Sequence, residues 1–125
     1  MRPFSIIVAM ALLVTTTPAA AQSPADGQAL YQAKCGGCHS LDANRIGPAH
    51  RGVVGRKIAT APGYPYSGAI KKLPGVWTPA RLDAWLQGPQ KLAPGSKMFL
   101  TIPDPAQRAA IIAYLVANSS PSAGR

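Results

Sequence analysis

The chain has 125 residues and a formal net charge of +9, with 13 lysines and arginines against 4 acidic residues, all aspartates. That length suits one small domain, and Asp26, Asp42, Asp83 and Asp104 alone make paired carboxylates for acid–base catalysis hard to assemble. The basic residues are scattered and not interleaved with aromatics, which argues against nucleic acid as a partner and suits steering toward acidic protein surfaces.

Residues 1–21 read as a secretory signal peptide. Arg2 gives a positive start, Phe4 to Val14 is an apolar run, and Ala19-Ala20-Ala21 is a small-residue cleavage pattern. The run is too short to span a bilayer, so no stable membrane insertion is expected. The folded domain is expected over 22–118, with 119–125 a flexible tail.

Ser23-Pro24-Ala25-Asp26 has the chemistry of a helix start: a capping hydroxyl, a proline at the first helical position and an acid at the positive end. Gly27, Leu30, Tyr31 and Lys34 share one face of the helix that follows. Residues 40–66 are broken by Gly47, Pro48, Gly52, Gly55, Pro62, Gly63 and Pro65 and read as loop. Ser67 to Lys72 is a short helix ended by Leu73-Pro74-Gly75. Thr78-Pro79 opens another, with Leu82, Trp85 and Leu86 on its apolar face, and Gly88-Pro89 closes it into a loop that runs to Met98. Asp104-Pro105 opens the last helix, with Ile111, Tyr114 and Leu115 as its buried face and Asn118 at its end. No segment reads as a strand. The expected class is all-α, three to five helices joined by long loops.

The chemistry concentrates in Cys35-Gly36-Gly37-Cys38-His39. Two thiols at this spacing can each form a thioether with one vinyl group of a haem, and the following imidazole then reaches the iron from one face. The chain offers three alternatives in principle. A disulfide is the common fate of an exported cysteine pair. A thiol redox pair calls for a βαβ pattern around CxxC, which is absent. A zinc site needs four ligands, which the two cysteines with His39 and His50 would barely supply. Haem attachment fits best. Met1 and Met10 belong to the leader, so Met98 is the sole methionine of the expected domain. A His/Met pair is a known axial set for haem iron and raises its potential. His50 is a competing ligand but sits on a short loop close to His39, and is expected to be a partly buried or surface histidine.

Four motifs in order then resemble the class I cytochromes c, the branch shared by mitochondrial cytochrome c and its soluble bacterial relatives. They are CGGCH at 35–39, GPAHRGVVGRK at 47–57, YPYSGAI at 64–70 with Trp77, and PGSKM at 94–98. The resemblance implies a small cytochrome c fold wrapped around one haem c, bound covalently through Cys35 and Cys38, with His39 and Met98 as axial ligands. It further implies that the carbonyl of Pro48 accepts a bond from His39. Tyr66 and Trp77 would bond a buried propionate that Arg56 helps to neutralise. Gly27 and Tyr31 would cross the last helix near Ile111 and Tyr114. The sequence departs from the pattern at His50, where the family commonly has an apolar residue, and at Leu92, where it commonly has a tyrosine near the methionine.

The function implied is that of a monomeric periplasmic one-electron carrier, not an enzyme. Its partners would be acidic redox proteins such as a quinol–cytochrome c reductase, a terminal oxidase, a photosynthetic reaction centre or a dehydrogenase. Lys34, Lys91 and Lys97 are candidates to ring the haem edge. A haem peroxidase would need an open iron position, and a fixed subunit of a larger complex would share the same chemistry.

Overall fold

The computed structural model describes residues 24–120, with Pro3 and residues 12–16. Ser23, the cleavage pattern at 19–21 and the tail beyond Ser120 lie outside the described residues. Among the described residues five helices follow one another: α1 Pro24–Lys34, α2 Gly68–Lys71, α3 Pro79–Gln87, α4 Pro89–Leu92 and α5 Pro105–Ala117. Among the described residues there is no strand, only an isolated bridge between Lys57 and Val76. No helix among them is long and apolar enough to cross a membrane. The all-α expectation holds.

The proline-led starts work as their chemistry dictates. Thr78 accepts from the N–H of Arg81 at 3.1 Å and Asp104 from that of Ala106 at 2.8 Å, so each satisfies an amide that the first helical turn leaves free. Ser67 caps α2 through the N–H of Ile70 in the same way.

One expectation needs correction. Gly88-Pro89 does not open a loop; it ends α3 and starts α4 at once. Gly88 is extended, with φ −179°, and donates its N–H to the carbonyl of Trp85. Pro89 then takes the first position of α4, where its missing N–H costs nothing. The same dipeptide that breaks one helix therefore begins the next.

The α1–α5 crossing holds the core together. A Cβ at Gly27 would collide with the carbonyl oxygen of Ala110 and press on Tyr114, so only glycine lets the two backbones approach this closely. Tyr31 packs on Tyr114 with ring centroids 5.1 Å apart. Ile111 and Leu115 are buried beneath them, each contributing about 1.5–3 kcal/mol of apolar burial. α3 is tied to α5 by Asp83, whose carboxylate lies 2.7 Å from Nε of the buried Arg108. Arg108 also donates to the carbonyls of Ile102 and Pro103 at 2.9 and 2.8 Å, so its charge is well partnered.

The long loop is anchored rather than loose. The N–H of Gly52 reaches the carbonyl of Asn118 at 3.1 Å, and that of Val54 reaches Oγ of Ser119 at 3.1 Å. Ser119 itself donates to the carbonyl of Leu115 at 2.7 Å. The end of α5 thus pins the loop that follows the cysteine motif.

Candidate functional site

Between α1, α3, α5 and the loops lies a cleft of about 350 Å³, lined mainly by apolar side chains. The volume falls in the range of cavities that hold organic cofactors. Cys35, Cys38, His39, Arg56, Tyr66, Trp77 and Met98 all line it. Pro48 lines it too, with its carbonyl engaged by His39, so all eight residues singled out from sequence converge on one space.

α1 delivers the cysteine motif. The N–H of Cys35 still bonds to the carbonyl of Tyr31 at 2.7 Å, and that of His39 bonds to Cys35 at 2.9 Å, which wraps the motif into a tight turn. Arg45 Nη1 closes the turn by donating to the carbonyls of Gly36 and His39 at 2.6 and 3.3 Å. Cys35 ends buried and Cys38 exposed, and neither forms a disulfide. Burial, with a smaller effect of Cys38, pushes the Cys35 thiol up to about 11. Among the described residues no three His, Cys, Asp or Glu side chains gather as a metal cluster would require, so the zinc alternative has no geometry behind it.

His39 is held as a neutral ligand would be. Its Nδ1 donates to the carbonyl of Pro48 at 2.9 Å, which leaves the lone pair on Nε2. Burial lowers its pKa, against the opposing pull of the Pro48 bond. A Cβ at Gly47 would fall within the imidazole ring, so the loop backbone lies directly against it. His50 stacks on His39 with centroids 4.0 Å apart and planes 20° apart, and its Nδ1 lies 2.9 Å from the hydroxyl of Tyr31. It is half-buried, as expected from sequence. It lies alongside His39 with one ring nitrogen already engaged, a poor arrangement for a second ligand.

Met98 comes from a loop with no regular structure, and two side chains that sequence reading left without a role hold it there. Nε1 of Trp85 lies 3.2 Å from the sulfur of Met98. Gln90 donates to the carbonyls of Ser96 and Met98 at 2.9 and 2.8 Å and accepts from the N–H of Gly95 at 3.0 Å. From sequence, Trp85 falls simply on the apolar face of α3. The one signal available was that a buried indole N–H needs a partner. Leu92 is exposed and does not line the cleft. A hydrogen bond to the methionine does not depend on position 92, because Trp85 supplies one.

At the other end of the cleft Arg56 donates from Nη2 to the carbonyl of Ala49 at 3.1 Å, while its Nε is buried without a partner. Tyr66 accepts from the N–H of Ala61 at 2.9 Å, which leaves its own hydroxyl hydrogen to donate. Trp77 is buried against Trp85, edge to face, with centroids 5.3 Å apart. An orphaned guanidinium N–H in a buried place is costly. An anionic group entering from the cleft would satisfy it, so the residues present fit a haem with its propionates. Lys34 and Lys97 line the mouth, whereas Lys91 does not. Exposed Ile46 and Phe99 stand beside them.

An all-α fold that gathers a cysteine pair, an imidazole and a thioether around an apolar cleft defines a c-type haem protein. The comparisons with known proteins agree. The family model for cytochrome c matches residues 24–119. The chain is 45% identical over 95 residues to cytochrome c2 of Rhodopila globiformis, covering 74% of this chain and 90% of that protein. It is 45% identical over 91 residues to the c-type cytochrome cy of Rhodobacter capsulatus, covering 71% of this chain and 46% of that relative, about half its length. Among solved structures, cytochrome cH from Methylobacterium extorquens superposes with a TM-score of 0.71 at 43% identity, covering 75% of this chain and 97% of that one. The chain belongs to the cytochrome c family, and its cofactor is haem c, bound covalently, for which Cys35 and Cys38 are the cysteines present.

Proposed function

We propose that this protein is an exported, periplasmic one-electron carrier in which Cys35 and Cys38 form the thioethers and His39 and Met98 are the axial ligands. The observation that carries the reading is the placement of an imidazole and a thioether on the lining of one apolar cleft, each oriented by its own hydrogen bond. When bound, the haem supplies a one-electron iron couple.

The side chains do the rest. The Pro48 carbonyl keeps the proton of His39 on Nδ1 and makes Nε2 a better donor. Met98 offers a soft sulfur that favours the lower charge, and the apolar lining excludes water with the same effect. Tyr66, Trp77 and the free N–H of Arg56 would hold a propionate away from water. With Met98 in the second axial position, no open site remains for peroxide chemistry, which favours a carrier over an enzyme.

The basic surface would bring the protein to acidic redox partners: a quinol–cytochrome c reductase, a terminal oxidase, a reaction centre or a dehydrogenase. Such contacts are brief and weaken with salt. Lys34 sits at the cleft mouth, as does Lys97, whose ammonium donates to the carbonyl of Pro65. The carrier is read as a monomer.

The test is a reduced-minus-oxidised absorption spectrum of the purified protein before and after acid–acetone extraction, followed by a potential titration. The expected result is a c-type spectrum whose haem stays with the protein and a single one-electron wave. Haem that washes out would overturn the covalent assignment, and ready binding of CO by the untreated reduced protein would overturn the Met98 assignment.

A further inference from the structure

Tyr31 and His50 form a polar pair that joins α1 to the loop after the cysteine motif. Tyr31 is 4% exposed, on the face of α1 that crosses α5, and its ring rests on Tyr114. Its hydroxyl lies 2.9 Å from Nδ1 of His50. A buried tyrosine hydroxyl bonded to a half-buried imidazole gives little net stability over two apolar groups of the same shape, so packing alone does not explain the pair. What sets His50 apart is its second contact. Its ring lies nearly parallel to that of His39, at 4.0 Å.

His39 therefore meets the stretch 47–50 in three ways. The carbonyl of Pro48 accepts a hydrogen bond from Nδ1–H, the backbone of Gly47 presses on the ring, and His50 covers it in parallel. A single N–H···O bond tolerates roughly 30° of misalignment before it weakens much. It fixes which nitrogen faces the cleft more firmly than it fixes the plane of the ring. A flat neighbour in stacking contact restricts that remaining rotation. Tyr31 in turn holds the neighbour: with its hydroxyl donating, Nδ1 of His50 is the acceptor and the ring cannot turn freely.

We propose that His50 is a positioning residue for the axial imidazole, setting the plane of His39 about its bond to the iron, and that Tyr31 ties this plane to α1. The proposal rests on the reading of His39 as a ligand. The plane matters because it selects which iron orbital overlaps the imidazole. That choice governs how unpaired spin is spread over the haem edge in the oxidised protein, and hence which edge couples best to a partner.

The test uses oxidised holoprotein and the paramagnetically shifted proton resonances of the haem methyls, which report the ligand plane and are not moved by a uniform loss of stability. His50→Leu fills the site with an apolar side chain, and Tyr31→Phe removes one oxygen and keeps the ring on Tyr114. His50→Leu should redistribute the methyl shifts. Tyr31→Phe should shift them in the same direction by less, and the double variant should reproduce His50→Leu alone. A wild-type pattern in either single variant would overturn the proposal, and so would additive shifts in the double variant. Failure of the underlying reading looks different: His39→Ala would then keep the wild-type low-spin spectrum.

Discussion

The groups that hold His39 lie between Cys35 and His50 and are chiefly backbone: the Pro48 carbonyl, the Gly47 main chain and the turn closed by Arg45. The groups that hold Met98 are side chains from two other elements, Trp85 on α3 and Gln90 on α4. The first arrangement closes short loops, at small entropic cost, onto atoms that scarcely move. The second depends on a fan of bonds from one amide and on the tie between α3 and α5. The methionine side is therefore the one expected to loosen first, in keeping with the rule that regions of few backbone bonds open at lower free energy.

Matched glycine changes give the sharpest contrast. Gly47→Ala forces a Cβ into the His39 ring. It should lower stability by about 3 kcal/mol and reduce the fraction of protein carrying covalent haem. Gly95→Ala on the methionine side meets only Ala69, at 3.9 Å, and is opposed only by its φ of +89°. A loss of about 1–2 kcal/mol is expected there. Denaturation midpoints and haem-to-protein absorbance ratios check both. Equal effects would mean that the two walls do not differ as described.

Gln90→Ala should cost about 2 kcal/mol, since it strands the Ser96 and Met98 carbonyls and the Gly95 N–H. In a denaturant titration the sulfur-to-iron charge-transfer band of the variant should vanish well before its far-UV circular dichroism. Coincident transitions would show that the methionine loop is not a separately weak unit.

Trp85→Phe keeps the ring and removes the N–H that points at the sulfur. That hydrogen bond draws electron density from sulfur and favours the reduced state, so its loss should lower the reduction potential. A net bond of about 0.5–1.5 kcal/mol corresponds to roughly 20–65 mV for a one-electron couple, for which 59 mV is tenfold. An unchanged or higher potential would remove Trp85 from the account.

The smallest effect concerns pH. The Arg108 guanidinium, helped by Gln87, holds the Asp83 carboxyl below its usual 3.8. The native state then takes up this proton less readily than the unfolded chain. The stabilisation is complete above the unfolded value and is lost as pH falls through the folded one. Asp83 is 39% exposed, so solvent screening limits the increment to about 0.5 kcal/mol. The gap in thermal midpoint between wild type and Asp83→Asn should narrow as pH is lowered from about 7 toward about 3.

Sequence disclosed the two walls unequally for the same physical reason. Cys35, Cys38 and His39 were legible because covalent attachment demands a fixed spacing, and Met98 because no other methionine serves the domain. α1, α3 and α5 were legible through their proline-led starts, and α2 through the Ser67 cap. α4 was not, because Gly88-Pro89 carries a stop and a start in the same two residues. Periodicity puts Trp85 on the buried face of α3 but says nothing of where an indole N–H points. Gln90 had no pattern at all: a neutral amide acquires its role only when the loop folds back over it. The Tyr31–His50 pair likewise joins residues that only the path of the loop brings together.

Met98→Ala tests the central claim most directly, with the charge-transfer band and the reduction potential read on the same sample. The account predicts that covalent haem and helical content persist, the band disappears, and the potential falls on the order of 0.2 V within the roughly 0.8 V range that axial ligands command. A variant that kept both the band and the wild-type potential would contradict it.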